Sequence, residues 1–460
     1  MTGQQAQALP PGRRACIVGA GISGLTAAKA LKDRGIPYDQ LELASDLGGL
    51  WRYGHPRSSA YKTLHIISSR YNMELADFPM PEDFPDYGHH EDVLRYFEAY
   101  ADAFDLRGGI AFNTKVERVV PAGDGAWDVT LSSGETRRYG AVLSATGHHW
   151  NPRYPDFPGS FDGRALHSHD YREPAPFEGQ RVCIVGIGNS ACDIAVDLSR
   201  IAERVVVSTR SSAWIIPKYL LGIPTDQWSG YYMEYLPVWV RRLTLRLLTW
   251  LTVGNQERYG VPKPEHEMLQ EHPTLNQEFL SYVGHGRIRV KPNVERLEGT
   301  HVCFEDGTRE AFDAIIYATG YRITFPFLPD EVFRVENNEV ALYRYVVPPE
   351  LPNLYFLGLI QPLGAIMPLC ELQAKWVAGL LDGEFVLPDA NAMRHTIEAT
   401  RRRMKRRYND SPRHTIQCDF WEYVHELERE MKRGRQRAQQ AGVPRRPALA
   451  EREPHDVVTG

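Results

Sequence analysis

Twice in this chain a short apolar run is followed at once by a glycine-spaced turn, a helix-like segment and a second apolar run. The first copy reads ACIV, GAGISG, LTAAKALKDRG and YDQLELA, starting at Ala15. The second reads RVCIV, GIGNSA, CDIAVDLSRIAE and RVVVSTR, starting at Arg181. A strand that must turn sharply into a helix and return as a neighbouring parallel strand is a βαβ unit. Two such units predict an α/β protein with two dinucleotide-binding, Rossmann-like domains.

The turns carry the chemistry. Gly19, Ala20, Gly21, Ile22, Ser23 and Gly24 form a complete G-x-G-x-x-G. Its first glycine permits the tight turn, its second admits a pyrophosphate to the backbone, and its third lets helix and strand pack closely. The helix N-terminus then offers free N–H groups to the phosphates. Glu42 closes the second strand and is expected to accept hydrogen bonds from ribose hydroxyls. Shortly after come Gly48, Gly49, Leu50 and Trp51. Close backbone approach beside a flat indole suggests a flavin ring there, so FAD is the expected first nucleotide.

In the second loop Gly186, Gly188, Asn189, Ser190 and Ala191 take the equivalent places, with alanine in the third position. No carboxylate ends its second strand, which finishes Ser208, Thr209, Arg210. Hydroxyls and a guanidinium suit a 2′-phosphate, whereas a carboxylate would favour a free 2′-hydroxyl. NADPH is therefore expected over NADH.

Each βαβ unit is followed by strand-pair patterns that end in the same three residues, Ala145-Thr146-Gly147 and Ala318-Thr319-Gly320. The repeat predicts two related domains with the NADPH domain inserted into the FAD domain. The expected segments are 1–172 and 320–430 for FAD and 173–319 for NADPH. Residues 431–460, charged and poor in large apolar side chains, are expected to be a disordered tail.

Composition excludes several alternatives. Lys and Arg number 53 against 58 Asp and Glu, a mild acidic excess that argues against nucleic acid as a partner. The six cysteines stand singly without a C-x-x-C, which disfavours a zinc ribbon or a dithiol disulfide reductase and fits a reducing, cytoplasmic setting. The N-terminus lacks a secretory signal, and no run is long enough to span a bilayer. The nearest, Trp239 to Val253, is interrupted by Arg241, Arg242 and Arg246. It reads as a packed helix with one wet face, a membrane surface being the alternative. His89, His90, His148, His149, His167 and His169 lack carboxylates at metal-ligand spacing, so no metal is expected. Ser190 stands in a phosphate loop, not a nucleophile elbow, which sets a Ser-His-Asp hydrolase aside.

Phe161-Asp-Gly163-Arg-Ala-Leu-His167-Ser-His-Asp-Tyr171 resembles the F-x-G-x-x-x-H-S-x-x-Y fingerprint of flavin-containing monooxygenases, whose final Tyr separates it from the Baeyer–Villiger version. DLGGLW, ADFPMPEDFPDY, VGIGNSACDIA, STRSSAW, HPTLNQEF, VKPNV, FEDGT, YATGY and QPLGAIMPLCELQAKW extend the resemblance from Cys16 to Gly383. The resemblance implies NADPH reduction of FAD, a C4a-(hydro)peroxyflavin formed with O₂, and oxygen transfer to a soft nucleophile, an amine nitrogen or a sulfur. It implies a small-molecule substrate, often a homodimer, and Leu50, Trp51 and Gln361 near the flavin ring.

One position departs from that family. Ile67 stands where an asparagine is expected to help hold flavin and NADP⁺, and a hydrocarbon side chain neither donates nor accepts a hydrogen bond. Stabilisation of the peroxyflavin is then either lost at this position or supplied by Ser68 or by His65. The rivals are Baeyer–Villiger insertion on the same scaffold, an uncoupled NADPH oxidase that releases hydrogen peroxide, and a flavin-binding sensor without turnover.

Overall fold

The computed structural model describes residue 9 and residues 13–231, 236–408 and 415–444. In chain order the elements that build the site begin with β1 (Ala15–Val18), α1 (Ile22–Asp33), β2 (Tyr38–Leu41), α2 (His90–Ala103), β3 (Ile110–Ala111) and β4 (Ala141–Ser144). Next come β5 (Arg164–His167), β6 (Arg181–Val185), α3 (Asn189–Leu198), β7 (Arg204–Ser208), α4 (Val238–Val253), β8 (Ile288–Lys291) and β9 (Ala314–Tyr317). The chain closes with β10 (Leu354–Phe356), β11 (Gln361–Leu363), α5 (Met367–Asp382), α6 (Ala390–Arg407), β12 (Gln417–Asp419) and α7 (Phe420–Ala441).

Two parallel sheets of five strands result. One has the order β10-β4-β1-β2-β3, the other β8-β7-β6-β9-β5. In both, the glycine-turn strand lies between its βαβ partner and the strand that leads into Ala-Thr-Gly. β1 and β6 are buried from end to end apart from Arg181, as strands covered on both faces must be. This is the nested pair of dinucleotide folds that the sequence predicts.

Two expectations need correction. β5 pairs with β9 in the second sheet, so the chain has crossed over before Arg164, upstream of the boundary expected at residue 172. The crossover and the return run antiparallel side by side: Arg153 N donates to Gly320 O at 3.0 Å and Arg322 N to Asn151 O at 2.8 Å. A pattern of isolated residues could not show this, because β5 lies far in sequence from the strand it completes.

The tail does not begin at residue 431 either. α7 continues through Ala441, with Leu427, Glu430, Gly434 and Ala438 buried. Its small residues fall on one helical face, and Val386 N donates to Gly434 O at 3.1 Å. Counting charges hid this stripe because the charges occupy the other faces. Residues 445–460 lie outside the described residues.

All six cysteines are free and buried. Burial pushes the Cys16 and Cys183 thiols up, so they behave as small hydrophobes. Among the described residues no helix is long and apolar enough to cross a membrane. The helix expected to show a wet face is α4, and the face it exposes is apolar: Trp239, Leu243, Leu247, Trp250 and Leu251 all lie in solvent.

Candidate active site

Each phosphate loop is shaped by the Ala-Thr-Gly segment that crosses it. Gly19 has φ +111°, and a Cβ there would lie 2.6 Å from Ala145 O. Gly186 has φ +120°, and its Cβ would lie 2.5 Å from Ala318 O. The sequence repeat is thus a steric requirement met twice: the strand exit occupies the space where a side chain would stand. Gly24 is tighter still, with a Cβ 2.1 Å from Gly19 O. Gly21 differs. Its Cβ would meet only Gly49 Cα at 3.8 Å, so nothing within the protein demands glycine there.

The helices behind these loops are left bare. Gly21 and Gly188 cap α1 and α3 without a side-chain hydrogen bond, and neither first turn holds an acidic residue. Elsewhere in the chain, α2 begins with a His89–Asp92 capping box and α6 with an Asp389 cap. Uncapped N–H groups and an uncompensated dipole fit an anionic pyrophosphate. Near the first loop, Ser144 and Thr146 carry buried hydroxyls without a hydrogen-bond partner, beside a cleft formed with Phe325, Phe356, Leu357 and Leu359.

Glu42 fixes the first loop: its carboxylate accepts from Ala20 N at 2.6 Å and from Ala44 N at 2.7 Å. Each oxygen keeps a second lone pair, which leaves ribose recognition open to it. Ile22 is half-buried beside the loop, whereas Ser23 is buried against α5, its hydroxyl 3.3 Å from Cys370 Sγ. Only the backbone of Ser23 faces the loop's task. Gly48 N donates to Ala20 O, and Gly49, at φ +55°, brings its backbone over Gly21. Leu50 follows, its carbonyl accepting from Ser58 Oγ at 2.5 Å, and Trp51 packs partly against the core. Gln361 starts β11, in register with the fully buried Gln417.

In the second loop Ala191 is buried, Ser190 is exposed, and Asn189 Oδ1 accepts from Leu275 N at 2.8 Å. The three residues at the end of β7 separate into two kinds. Ser208 is fully buried and donates to Pro292 O at 2.8 Å, while Thr209 donates to Ser211 O at 2.6 Å. Their hydroxyls are engaged within the protein. Arg210 alone extends into solvent.

The segment Tyr61–Arg70 joins the two domains. Tyr61 Oη donates to Asp193 at 2.7 Å and Thr63 Oγ1 to Asp197 at 3.2 Å, both carboxylates on α3. Lys218 Nζ donates to Ile66 O at 3.1 Å, and Ser69 N donates to Asp226 at 2.6 Å. Tyr171, the last residue of the fingerprint, donates to the same Asp197 at 2.7 Å. Burial raises the Asp193 carboxyl and lowers the Lys218 ammonium, each against the pull of the other's charge. Sequence reasoning missed this clamp because its partners lie far apart along the chain. The one local signal was Lys218, a lone charge in the apolar stretch IIPKYLL.

Ile67 lies half-buried in this segment and Ser68 is buried. His65 is exposed, with Nδ1 2.8 Å from Thr63 O and its ring 5.1 Å from that of His89. Those contacts bring it to neither phosphate loop. Partial desolvation by the neighbours packed around its ring lowers its pKa. His89, His90 and Glu91 approach one another at the start of α2, where the positive helix end opposes a cation.

A second histidine group surrounds Tyr321 at the crossover, with ring centroids at 5.3 Å (His149), 5.2 Å (His167) and 6.0 Å (His169). Burial holds His167 down at about 4 and His148 well below its ordinary range. Both are neutral in the fold and regain a proton on unfolding. Their stabilising effect is present above about pH 6.5 and is lost as pH falls towards 4. At pH 5, His167 alone is expected to cost ~2 kcal/mol relative to pH 7.5. Thermal unfolding at the two pH values checks this, with His167→Gln expected to reduce the difference by about that amount.

Two nucleotide-ready loops on paired parallel sheets, bridged by one shared segment, define a two-nucleotide oxidoreductase of the flavoprotein class. A family model described as "Flavin-binding monooxygenase-like" matches residues 12–435. Flavin-containing monooxygenase 5 of Oryctolagus cuniculus is 40% identical over 446 residues, covering 90% of this chain and 82% of that protein. The structure of S-allyl-L-cysteine S-oxygenase from Allium sativum superposes with a TM-score of 0.69 at 27% identity, covering 91% of this chain and 88% of that one. An oxidized steroid monooxygenase bound to NADP shares the fold, with a TM-score of 0.72 at 18% identity over 92% and 98% of the two chains. The chain belongs to the flavin-binding monooxygenase family, and it is an FAD- and NADPH-dependent monooxygenase.

Proposed function

We propose that this enzyme inserts one oxygen atom of O₂ into a soft nucleophile, an amine nitrogen or a sulfide sulfur, at the expense of NADPH. The observation that carries the reading is the clamp on Tyr61–Arg70, which ties a segment packed on the first domain through Ile66 to the helix behind the second loop. The S-oxygenase likeness supports sulfur as one acceptor class.

The backbone of Gly19–Gly24 and the bare end of α1 would hold the FAD pyrophosphate, with Glu42 fixing the loop and accepting from the ribose. Gly49, Leu50, Trp51 and Gln361 would border the flavin ring. Gly186–Ala191 would hold the NADPH pyrophosphate on α3, and Arg210 would pair with the 2′-phosphate. When bound, FAD accepts hydride from NADPH and supplies the activated oxygen that the nucleophile takes up. The clamp would hold in one place the segment that joins the two domains. Ser68, buried next to Ile67, would offer the polar contact that Ile67 lacks. His65, exposed and bound to Thr63 O, would act only through the loop.

The test supplies the holoenzyme with NADPH, ¹⁸O₂ and a dialkyl sulfide or tertiary amine. One labelled oxygen in each S-oxide or N-oxide, with oxygenated product and hydrogen peroxide together matching the NADPH consumed, is the expected result. Hydrogen peroxide as the sole product, or esters from ketones in preference to both, would sink the proposal. The hydrocarbon at Ile67 favours some peroxide release as a second outcome of turnover. Ile67→Asn is therefore expected to lower peroxide per NADPH about fivefold, the effect of one ~1 kcal/mol hydrogen bond. Coupled peroxide and NADPH assays check it.

A further inference from the structure

Asp193 and Asp197 lie one turn apart on α3, on the face that meets Tyr61–Arg70. α3 is also the helix whose bare N-terminus backs the second phosphate loop. Asp193 accepts from Tyr61 Oη at 2.7 Å and from Asn276 Nδ2 at 2.6 Å. Asp197 accepts from Thr63 Oγ1 at 3.2 Å and from Tyr171 Oη at 2.7 Å. Asn276 follows the short strand Thr274–Leu275, which braces the loop itself. Leu275 N donates to Asn189 Oδ1 at 2.8 Å, and Thr274 Oγ1 donates to Ile187 O at 2.8 Å. Loop and segment are therefore joined twice, along α3 and through Thr274–Asn276.

The segment is divided between two cores. Tyr61 and Leu64 pack with the second domain, whereas Ile66 packs with the first. Ile66 N donates to Gly88 O at 3.0 Å and Arg70 N to Asp86 O at 2.8 Å, which fixes its far end to the first domain. Ile67 and Ser68 stand between those two bonds. Burying two like charges one turn apart costs more than burying an apolar pair. What the carboxylates add is direction, because each accepts a hydroxyl at a set distance and angle. A ten-residue helix moves as a unit, so a shift at its N-terminus carries both carboxylates with it.

We infer that Asp193 and Asp197 are positioning residues that couple coenzyme occupancy of Gly186–Ala191 to the order of Tyr61–Arg70. The inference rests on the assignment of that loop to NADPH. A coenzyme held on the N-terminus of α3 settles the helix, and the settled helix keeps the hydroxyls of Tyr61 and Thr63 in place. With the loop empty the segment opens more often, and Ile67 and Ser68 move with it. The coupling is reciprocal: the factor by which NADP⁺ steadies the segment is the factor by which the docked segment tightens NADP⁺.

The experiment is amide hydrogen exchange of the flavin-loaded full chain, read by mass spectrometry without and with saturating NADP⁺. The amides of Leu64, Ile66 and Arg70 are expected to exchange about tenfold more slowly with NADP⁺. The Tyr61→Phe, Thr63→Val variant removes both hydroxyls and alters no residue of either phosphate loop. It is expected to lose that slowing and to bind NADP⁺ about tenfold more weakly in an equilibrium titration, while retaining flavin. Thr63→Ser keeps its hydroxyl and should match the parent in both measurements. Slower exchange over residues 189–198 but not over 61–70 in the parent would overturn the inference and leave the coenzyme assignment standing. Slower exchange over neither would overturn both. Full slowing, or undiminished NADP⁺ affinity, in the double variant would also overturn the inference. The parent comparison needs no substitution, so a variant that fails to fold leaves the test intact.

Discussion

Gly21→Ala is expected to leave the flavin-free protein as stable as the parent while weakening FAD retention ten- to hundredfold, or about 1–3 kcal/mol. The reason is the difference between two glycines of one motif. At Gly21 a methyl group meets only Gly49 Cα at 3.8 Å, an ordinary contact, and the backbone φ of −76° suits any residue. The space it fills is the space a pyrophosphate would use. At Gly24 the same methyl stands 2.1 Å from Gly19 O and 2.9 Å from Gln40 Nε2, which itself donates to Gly19 O. Backbone cannot yield as a flexible side chain does, so Gly24→Ala should cost ~3 kcal/mol or more with or without flavin. Thermal unfolding of the flavin-free variants and fluorescence titration with FAD separate the two. Equal destabilisation by both substitutions would show that Gly21 serves packing and not phosphate.

Arg210→Gln is expected to lower kcat/KM for NADPH by about tenfold to a hundredfold and to leave kcat/KM for NADH nearly unchanged. A hydrogen bond to a charged group contributes about 1.5–3 kcal/mol, and NADH lacks the 2′-phosphate that receives it. The effect should concentrate in Arg210 because Ser208 and Thr209 already donate to Pro292 O and Ser211 O. Ser208→Ala serves as the contrast. It should reduce stability by ~1 kcal/mol, since it leaves a buried carbonyl short of a donor, without altering coenzyme preference. Steady-state kinetics with both coenzymes decides the matter. A parallel loss with NADPH and NADH would place Arg210 in folding or in general phosphate binding.

These contrasts mark where the sequence was legible. G-x-G-x-x-G between a strand and a helix is local geometry, set by residues a few positions apart, and both copies were readable as nucleotide loops. The Ala-Thr-Gly repeat was readable as a pattern, but its cause was not. That cause is a carbonyl more than a hundred residues away, seated where the first glycine of each loop would carry a Cβ. Ser208 and Arg210 looked alike on paper. One faces the β7–β8 neighbourhood and is buried, the other leaves the strand end, and which does which depends on strand register.

The chain by itself determined its two βαβ units, their order, the absence of a dithiol and the family it resembles, because glycine spacing and apolar runs act over short distances. Tertiary structure alone decided that β5 completes the second sheet, that Tyr61–Arg70 is held by Asp193, Asp197, Lys218 and Asp226, and that α4 turns its tryptophans outward. Each of these joins groups remote in sequence. Burial and pairing of that kind are properties of the packed molecule, not of any window of residues.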